Sequence, residues 1–372
     1  MKRNLIKKTV MLLALSSALV LTGCGDSDDS GEASAVKQIS AASVVSQENV
    51  SEKAEPVTEE VFNKVVINQI ISDIGNAFKS MSPKTVEPGP LSEGSVLRSV
   101  KPTDLKEAFS KLKESIKLET KESETGVSAS AKGSWSAPTG DIDFGDEVKG
   151  ISARLDAMKF NFNANYSMGE KGLVASANGS ARVAGNAAFD FAGTDAPFTV
   201  IKAGKLNILC TASVSNGYAK MGPENLATAM ELTAGKDVEP ETVKAVIEYF
   251  DAIKGNANAY GGISLAVYFE AEDGDKLYNG VIKIDLTSSL SYSFTKESAA
   301  ALVDVIKNFI DATDKDVMEA KDFEPLEPFV SVKVDASVYD ASGNKLFTVL
   351  NAEKASELFS IIMSFVEPEA VK

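Results

Sequence analysis

From Ile151 to Val214 the side chains alternate with a period of two, and that period dictates extended chain. Successive side chains of a strand point to opposite faces, whereas a helix would repeat every 3.6 residues. Phe160, Phe162, Ala164, Tyr166 and Met168 fall on one face, with asparagine and serine between them. Ile151, Ala153 and Leu155 alternate in the opposite phase, so a bulge is predicted near Ala157. From Leu173 to Phe191 the odd positions are small and apolar, while Ser176, Asn178, Ser180 and Arg182 mark the even ones. Gly185-Asn186 is expected to divide this run into two strands. Leu206, Ile208, Cys210, Ala212 and Val214 alternate up to an expected turn at Asn216-Gly217. Cys210 is therefore expected on the apolar face, as an inert core thiol.

Helical periods flank this region. Val61, Val65, Ile70, Ile74, Ala77, Phe78 and Met81 recur at three- and four-residue spacing behind a Thr58 N-cap, which predicts a helix of about 20 residues. Asp104 and Glu107 form an apparent capping box before the stripe Leu105, Ala108, Phe109, Leu112 and Ile116. A helix with Pro240 near its start and Gly255 at its end carries Val243, Val246, Ile247, Phe250 and Ile253. Two hairpin–helix units look alike. Asp273-Gly274-Asp275 turns into Lys276-Leu277-Tyr278, and Ser342-Gly343-Asn344 turns into Lys345-Leu346-Phe347. Each unit then reaches an apolar stripe, at 302–310 and at 358–366.

An alternating sheet with one apolar face, plus helices with one apolar stripe each, reads as α+β. The expected architecture is an extended, twisted antiparallel sheet, curling towards a half-barrel and covered by amphipathic helices. A transmembrane β-barrel shares the two-residue period. The Ala- and Gly-rich faces, the absence of aromatic girdles and the five amphipathic helices argue against it.

The N-terminus carries a motif. Residues 1–9 are basic, and Val10 to Leu21 form an apolar run of 12 residues, well short of the ~20 that a spanning helix needs. The run ends in Leu21-Thr22-Gly23-Cys24, which resembles the lipobox of bacterial lipoproteins. The resemblance covers residues 1–24 alone. It implies cleavage before Cys24, acylation of that cysteine, and anchoring to a membrane of the bacterial cell envelope. With glycine rather than aspartate after the cysteine, it implies the outer membrane where the cell has two. Three regions follow: a signal peptide at 1–23, a flexible acidic tether at 24–56 and an α+β domain at 57–372. Within the domain a sub-division at 57–235 and 236–372 is expected, with the hairpin–helix repeat spanning 259–311 and 329–366. The tether would have an r.m.s. span near 30 Å.

Composition removes whole classes of function. There is no histidine, so Ser-His-Asp and Cys-His catalysis and His-ligated metal sites have no basis. Loss of Lys2, Arg3, Lys7 and Lys8 with the signal peptide leaves 34 basic against 53 acidic groups, or −19. Such a surface repels phosphate backbones, so nucleic acid is not an expected partner. Asp141, Asp143, Asp146 and Glu147, and separately Asp311, Asp314, Asp316 and Glu319, could offer oxygen ligands to calcium, but neither follows the EF-hand pattern. Paired carboxylates could also serve a hydrolase, although no pair stands out. No cofactor is expected. Two readings remain: a non-enzymatic envelope protein that binds or scaffolds a protein or glycan, and a carrier of a lipid or other apolar ligand. The carrier's groove would be lined by Phe160, Phe162, Leu173, Ala175, Ala177, Phe189 and Phe191.

Overall fold

The computed structural model describes residues 35–46, 50–70, 100–124, 126–144, 150–191, 199–234, 239–313, 328–354 and 357. Residues 1–23, expected to be a signal peptide, Cys24, the acidic groups 146–147 and 314–319, and the apolar stripes expected at 71–81 and 358–366 lie outside the described residues.

Antiparallel sheet dominates, with few helices, and the sheet is open rather than closed into a barrel. Its strands are β1 (Glu55–Pro56), β2 (Ile116–Ser123), β3 (Gly126–Ser136), β4 (Gly140–Ile142), β5 (Ile151–Gly169), β6 (Gly172–Asp190), β7 (Ile201–Met221), β8 (Ala252–Asp273), β9 (Lys276–Phe294), β10 (Val330–Tyr339) and β11 (Lys345–Ala352). The order β11-β10-β9-β8-β7-β6-β5-β3-β2 follows the chain, so the sheet is a meander of hairpins, with β4 and β1 pairing to its side. The helices are α1 (59–70, with a π-helical stretch at Phe62–Val66), α2 (Pro102–Leu112), α3 (Pro223–Thr233), α4 (Pro240–Glu248) and α5 (Lys296–Thr313).

Several local expectations change. The bulge near Ala157 is present, as a register shift between Leu155 and Ala157. The turn at Gly185-Asn186 is not: β6 runs through it, with Gly185 opposite Leu155. A Cβ on Gly185 would stand 2.8 Å from the Arg154 carbonyl oxygen, so the glycine permits a close backbone approach instead of a turn. Asn216-Gly217 does not turn the chain either. Asn216 has φ +54°, the pairing shifts between Ser215 and Tyr218, and the Asn216 N–H donates to Asn178 Oδ1 at 2.8 Å. This is a bulge inside β7. Helix α2 starts earlier than the expected capping box, and Asp104 reaches back from the third position to accept the Lys101 N–H at 3.0 Å. Ile116 leaves that helix and opens β2 as an exposed residue. Helix α4 ends at Glu248, and Ile253 and Gly255 belong to β8. Helix α3 was not anticipated, although Pro223 at its first turn with Glu224 beside it is a helix-start signal.

The largest correction concerns the tether. Residues 36–46 are not a free linker but a strap lying across the sheet, with Val36, Ile39, Ala41 and Val44 buried. Ile39, Ala41 and Val44 pack on Ala203, Ala266, Tyr268 and Val281 of β7–β9. Acidic and small residues dominate 25–35, but the apolar positions from Val36 onward find a partner surface, and burying them offsets the ordering entropy. The strap then rounds the sheet. β10 stops opposite Val281, which leaves Tyr278 and Asn279 of β9 free to pair with β1 in parallel. The chain passes through this gap and re-emerges as α1 on the opposite face. There Val61, Phe62 and Val66 pack on Phe269, Ala271 and Val338.

Candidate functional site

Strand register sorts every side chain to one of two faces. Residues directly opposite share a face. Trp135, Phe160, Ala181 and Ala212 form one such row, and Leu206, Leu265, Ile284 and Ala336 another. Following the register from β3 to β10 gives one continuous apolar face. The opposite rows are polar, as in Ser134, Asn161, Ser180, Ser213, Asn258 and Ser291.

The apolar face is covered locally. At one end α1 lies over Phe269 and Val338. At the other, α4 and α5 pack Val243, Ile247 and Val303 around Ile253. These helices are joined by ion pairs, Lys307–Glu241 at 2.7 Å and Lys244–Asp304. Phe269 and Ile253 are sixteen positions apart on β8, about 50 Å at ~3.3 Å per residue. Between them Ile263, Leu265, Ile284 and Leu286 are only half-buried, and Ile208 keeps 37% of its surface. On β10, Val332 and Val334 are buried. Among the described residues, helix cover over the β7–β9 part of this face is thus limited to caps at the two ends of these strands, while α2 meets the β3 side, its Ala108 carbonyl accepting from Trp135 Nε1 at 2.8 Å.

Glycines on this face do not open a groove as expected. Phe162 stands opposite Gly133, Phe189 opposite Gly204 and Phe269 opposite Gly280. In each pair the ring lies over its glycine, and a Cβ there would meet ring carbons at 2.6, 2.1 and 2.8 Å. The aromatic ring fills the space that the missing side chain leaves. Rings also stack across strands, as Trp135–Phe160 at 5.9 Å, and along the chain, as Phe160–Phe162 at 6.2 Å and Phe189–Phe191 at 5.3 Å. These glycine positions are therefore filled by rings and not left open. The seven groove residues share this face, but Leu173 and Phe189 lie near opposite ends of β6, about 50 Å apart, so they do not converge on one pocket. Cys210 also lies on this face, between Val183 and Gly261, yet it is exposed and not a core residue.

Two open depressions lie on the polar side. One of about 540 Å³ is lined by Ser130, Lys132, Ser134, Asn161, Asn163 and Asn165. The other, of about 340 Å³, is lined by Glu119, Lys121, Ser128, Ser167 and Ser176 among others. Elsewhere on this face the strap is fastened by side chains. The Val36 N–H donates to Tyr260 Oη and the Ile39 N–H to Ser264 Oγ, both at 2.9 Å. Asn207 Nδ2 and Lys205 Nζ donate to the Lys37 and Ser43 carbonyls at 2.7 Å. Ser264 in turn donates to Asp285 at 2.6 Å, and Asp285 pairs with Lys283 at 2.6 Å, both side chains being largely buried. Glu270 accepts from Tyr268 Oη and the Ser51 N–H. Burial, and then the bond to Glu270, holds the Tyr268 phenol well above its usual value, so it stays a donor.

Of the calcium candidates, Asp141 faces Arg154, whose Nη1 donates to it at 3.1 Å. Among the described residues no cluster of three or more acidic or cysteine side chains could hold a metal. No described helix is long and apolar enough to cross a membrane.

Fold and surface together define a class: an open antiparallel meander with one continuous apolar face, clasped at one end by its own N-terminal strap. Compared with family models, curated proteins and solved structures, the chain matches none.

Proposed function

We propose that this chain is a lipid-anchored protein of the bacterial cell envelope that acts without catalysis, by holding an apolar ligand such as acyl chains along its apolar face. The observation that carries the reading is the half-exposed middle of that face, from Ile208 through Ile263 to Ile284. A contiguous apolar surface of this extent is unfavourable in water and favours an apolar partner. The ring-over-glycine pairs fill the glycine positions, which suits flexible chains lying side by side better than one rigid molecule held in a pocket. The Leu21-Thr22-Gly23-Cys24 motif supports the anchor. Only 11 residues lie between Cys24 and Val36, so an extended connection reaches at most ~40 Å. The acyl anchor would then keep the polar, strapped face close to the bilayer.

The test is organic extraction of the purified full chain carrying Cys24→Ser, followed by mass spectrometry. Acyl lipid should co-purify, and Ile208→Asp with Ile263→Asp should reduce it several-fold. An extract free of apolar molecules, with a fluorescent acyl probe binding wild type and variant alike, would refute the apolar-ligand reading. The anchor is tested separately: wild type should partition into detergent and Cys24→Ser should not.

A further inference from the structure

The two edges of the sheet differ. At one edge β11 pairs with β10 through two register shifts, which twist an edge away from further pairing. At the other, β2 pairs with β3 over eight residues without a shift. Among the described residues, β3 is the only strand beside β2. Every residue of β2 is exposed, including Leu118 at 69% and Ile116 at 47%. A straight, regular edge with protruding apolar side chains is a template for another strand.

From this edge we infer that two copies of the chain pair through β2, antiparallel, about a two-fold axis at Leu118. The argument is one of register. Antiparallel partners must lie on the same face, so a symmetric pairing centres on one residue. Centred on Leu118, Lys117 opposes Glu119 of the other copy twice, Ile116 opposes Thr120 twice, and Leu118 meets Leu118. Centring on Glu119 sets Lys117 against Lys121 and Glu119 against itself. A centre at Thr120 sets Leu118 against Glu122, and a centre at Lys117 sets that lysine against itself. Only the Leu118 register satisfies both charge and apolarity across the pair. Charges that merely guard an edge need only one sign, whereas Lys117, Glu119, Lys121 and Glu122 balance and alternate in a self-complementary way. Leu118 lies opposite Ala131 and so belongs to the apolar face. Pairing would therefore join the apolar faces of two copies into one.

Contact along one short edge sits at the small end of specific interfaces, below about 1,200 Å², so the dimer should depend on concentration. The test uses the full chain with Cys24→Ser and Cys210→Ser. Mild oxidation of Leu118→Cys should give a disulfide dimer at least ten times faster than Thr120→Cys, whose two copies would lie about 13 Å apart along the strand. In sedimentation at micromolar to hundred-micromolar concentrations, Lys117→Glu should weaken association several-fold, and adding Glu119→Lys should restore it. Circular dichroism verifies that each variant is folded. Equal cross-linking at 118 and 120, failure of the charge swap to restore association, or a monomer at every concentration would each overturn the proposal.

Discussion

The half of the sheet from β7 to β10 and the half from β2 to β6 share one alternating pattern but differ in what lies on it. Around Tyr268 and Phe269 both faces of β8 are fully buried, one beneath the strap and the other beneath α1. In β5 no residue is buried, although its strands are as long and its pairing as complete. Long, nearly complete strand pairing is thus present in both halves, but layering is not. Hydrogen bonds set where the strands lie, while burial sets how much each region resists opening. The β7–β10 half therefore serves as the foundation, and the β2–β6 half extends from it as a thin sheet with an accessible apolar face.

Phe269→Ala should produce the largest effect. It removes a ring that packs on Phe62 and lies over Gly280, at a cost of about 3–5 kcal/mol. Urea unfolding should show the loss, and amide exchange should then speed up on both sides of β8. Ile39→Ala should come next, at about 2–4 kcal/mol, because it empties the strap's contact with Ala266 and Tyr268. If Ile39→Ala unfolds no more easily than wild type, the strap is not a structural layer and the contrast between the halves fails. Phe162→Ala in the thin half should cost only about 1–2 kcal/mol, since its ring is half-exposed. Gly133→Ala should be destabilising alone, with its Cβ 2.6 Å from that ring, and should become nearly neutral in the Phe162→Ala background. Additive effects of the two substitutions would show that the ring does not depend on its glycine.

How much of this was legible in the sequence follows from range. The period of two depends on neighbours within one strand, so the antiparallel sheet, its two faces and the bulge at Ala157 were readable. Whether Gly185-Asn186 turns or runs straight depends on Arg154 across the sheet, which no local pattern reports. The strap was missed for the same reason. Val36, Ile39 and Val44 are sparse among polar residues, and their partners in the sheet, from Ala157 to Val281, lie far along the chain. The seven proposed groove residues lie on one face but are spread along it, because alternation fixes the side of a sheet and says nothing of distance along it. The ring-over-glycine pairs could have been found by aligning Phe162 with Gly133, but that alignment is the register itself.

The smallest predicted effect compares the hairpin ends of the two halves. At the β10–β11 turn, Asp340 accepts from the Ser342 and Asn344 N–H groups at 2.9 and 2.8 Å and from Asn344 Nδ2 at 2.9 Å. At the β2–β3 turn a hydroxyl takes the corresponding place, with Ser123 Oγ donating to the Gly126 carbonyl at 3.0 Å. Only the carboxylate can titrate. The bonds from Asn344, together with those from the Ser342 and Gly343 N–H groups, hold the Asp340 carboxyl below its ordinary value. A depressed value means that the folded state binds the proton less readily than the unfolded one. Its contribution is complete above the unfolded value near 3.9 and is lost as pH falls through the lower folded value. Because the group is close to solvent, the contribution should be about 1 kcal/mol or less. Asp340→Asn should therefore lower stability slightly at pH 7, and its difference from wild type should shrink as pH falls below the ordinary aspartate value. Amide exchange at the β10–β11 turn should respond to acid in wild type and less so in Asp340→Asn, while exchange at the β2–β3 turn should be the same in wild type and variant. An acid response at the β2–β3 turn equal to that at β10–β11 would assign the effect to general acid loosening of the sheet and remove Asp340 as its source.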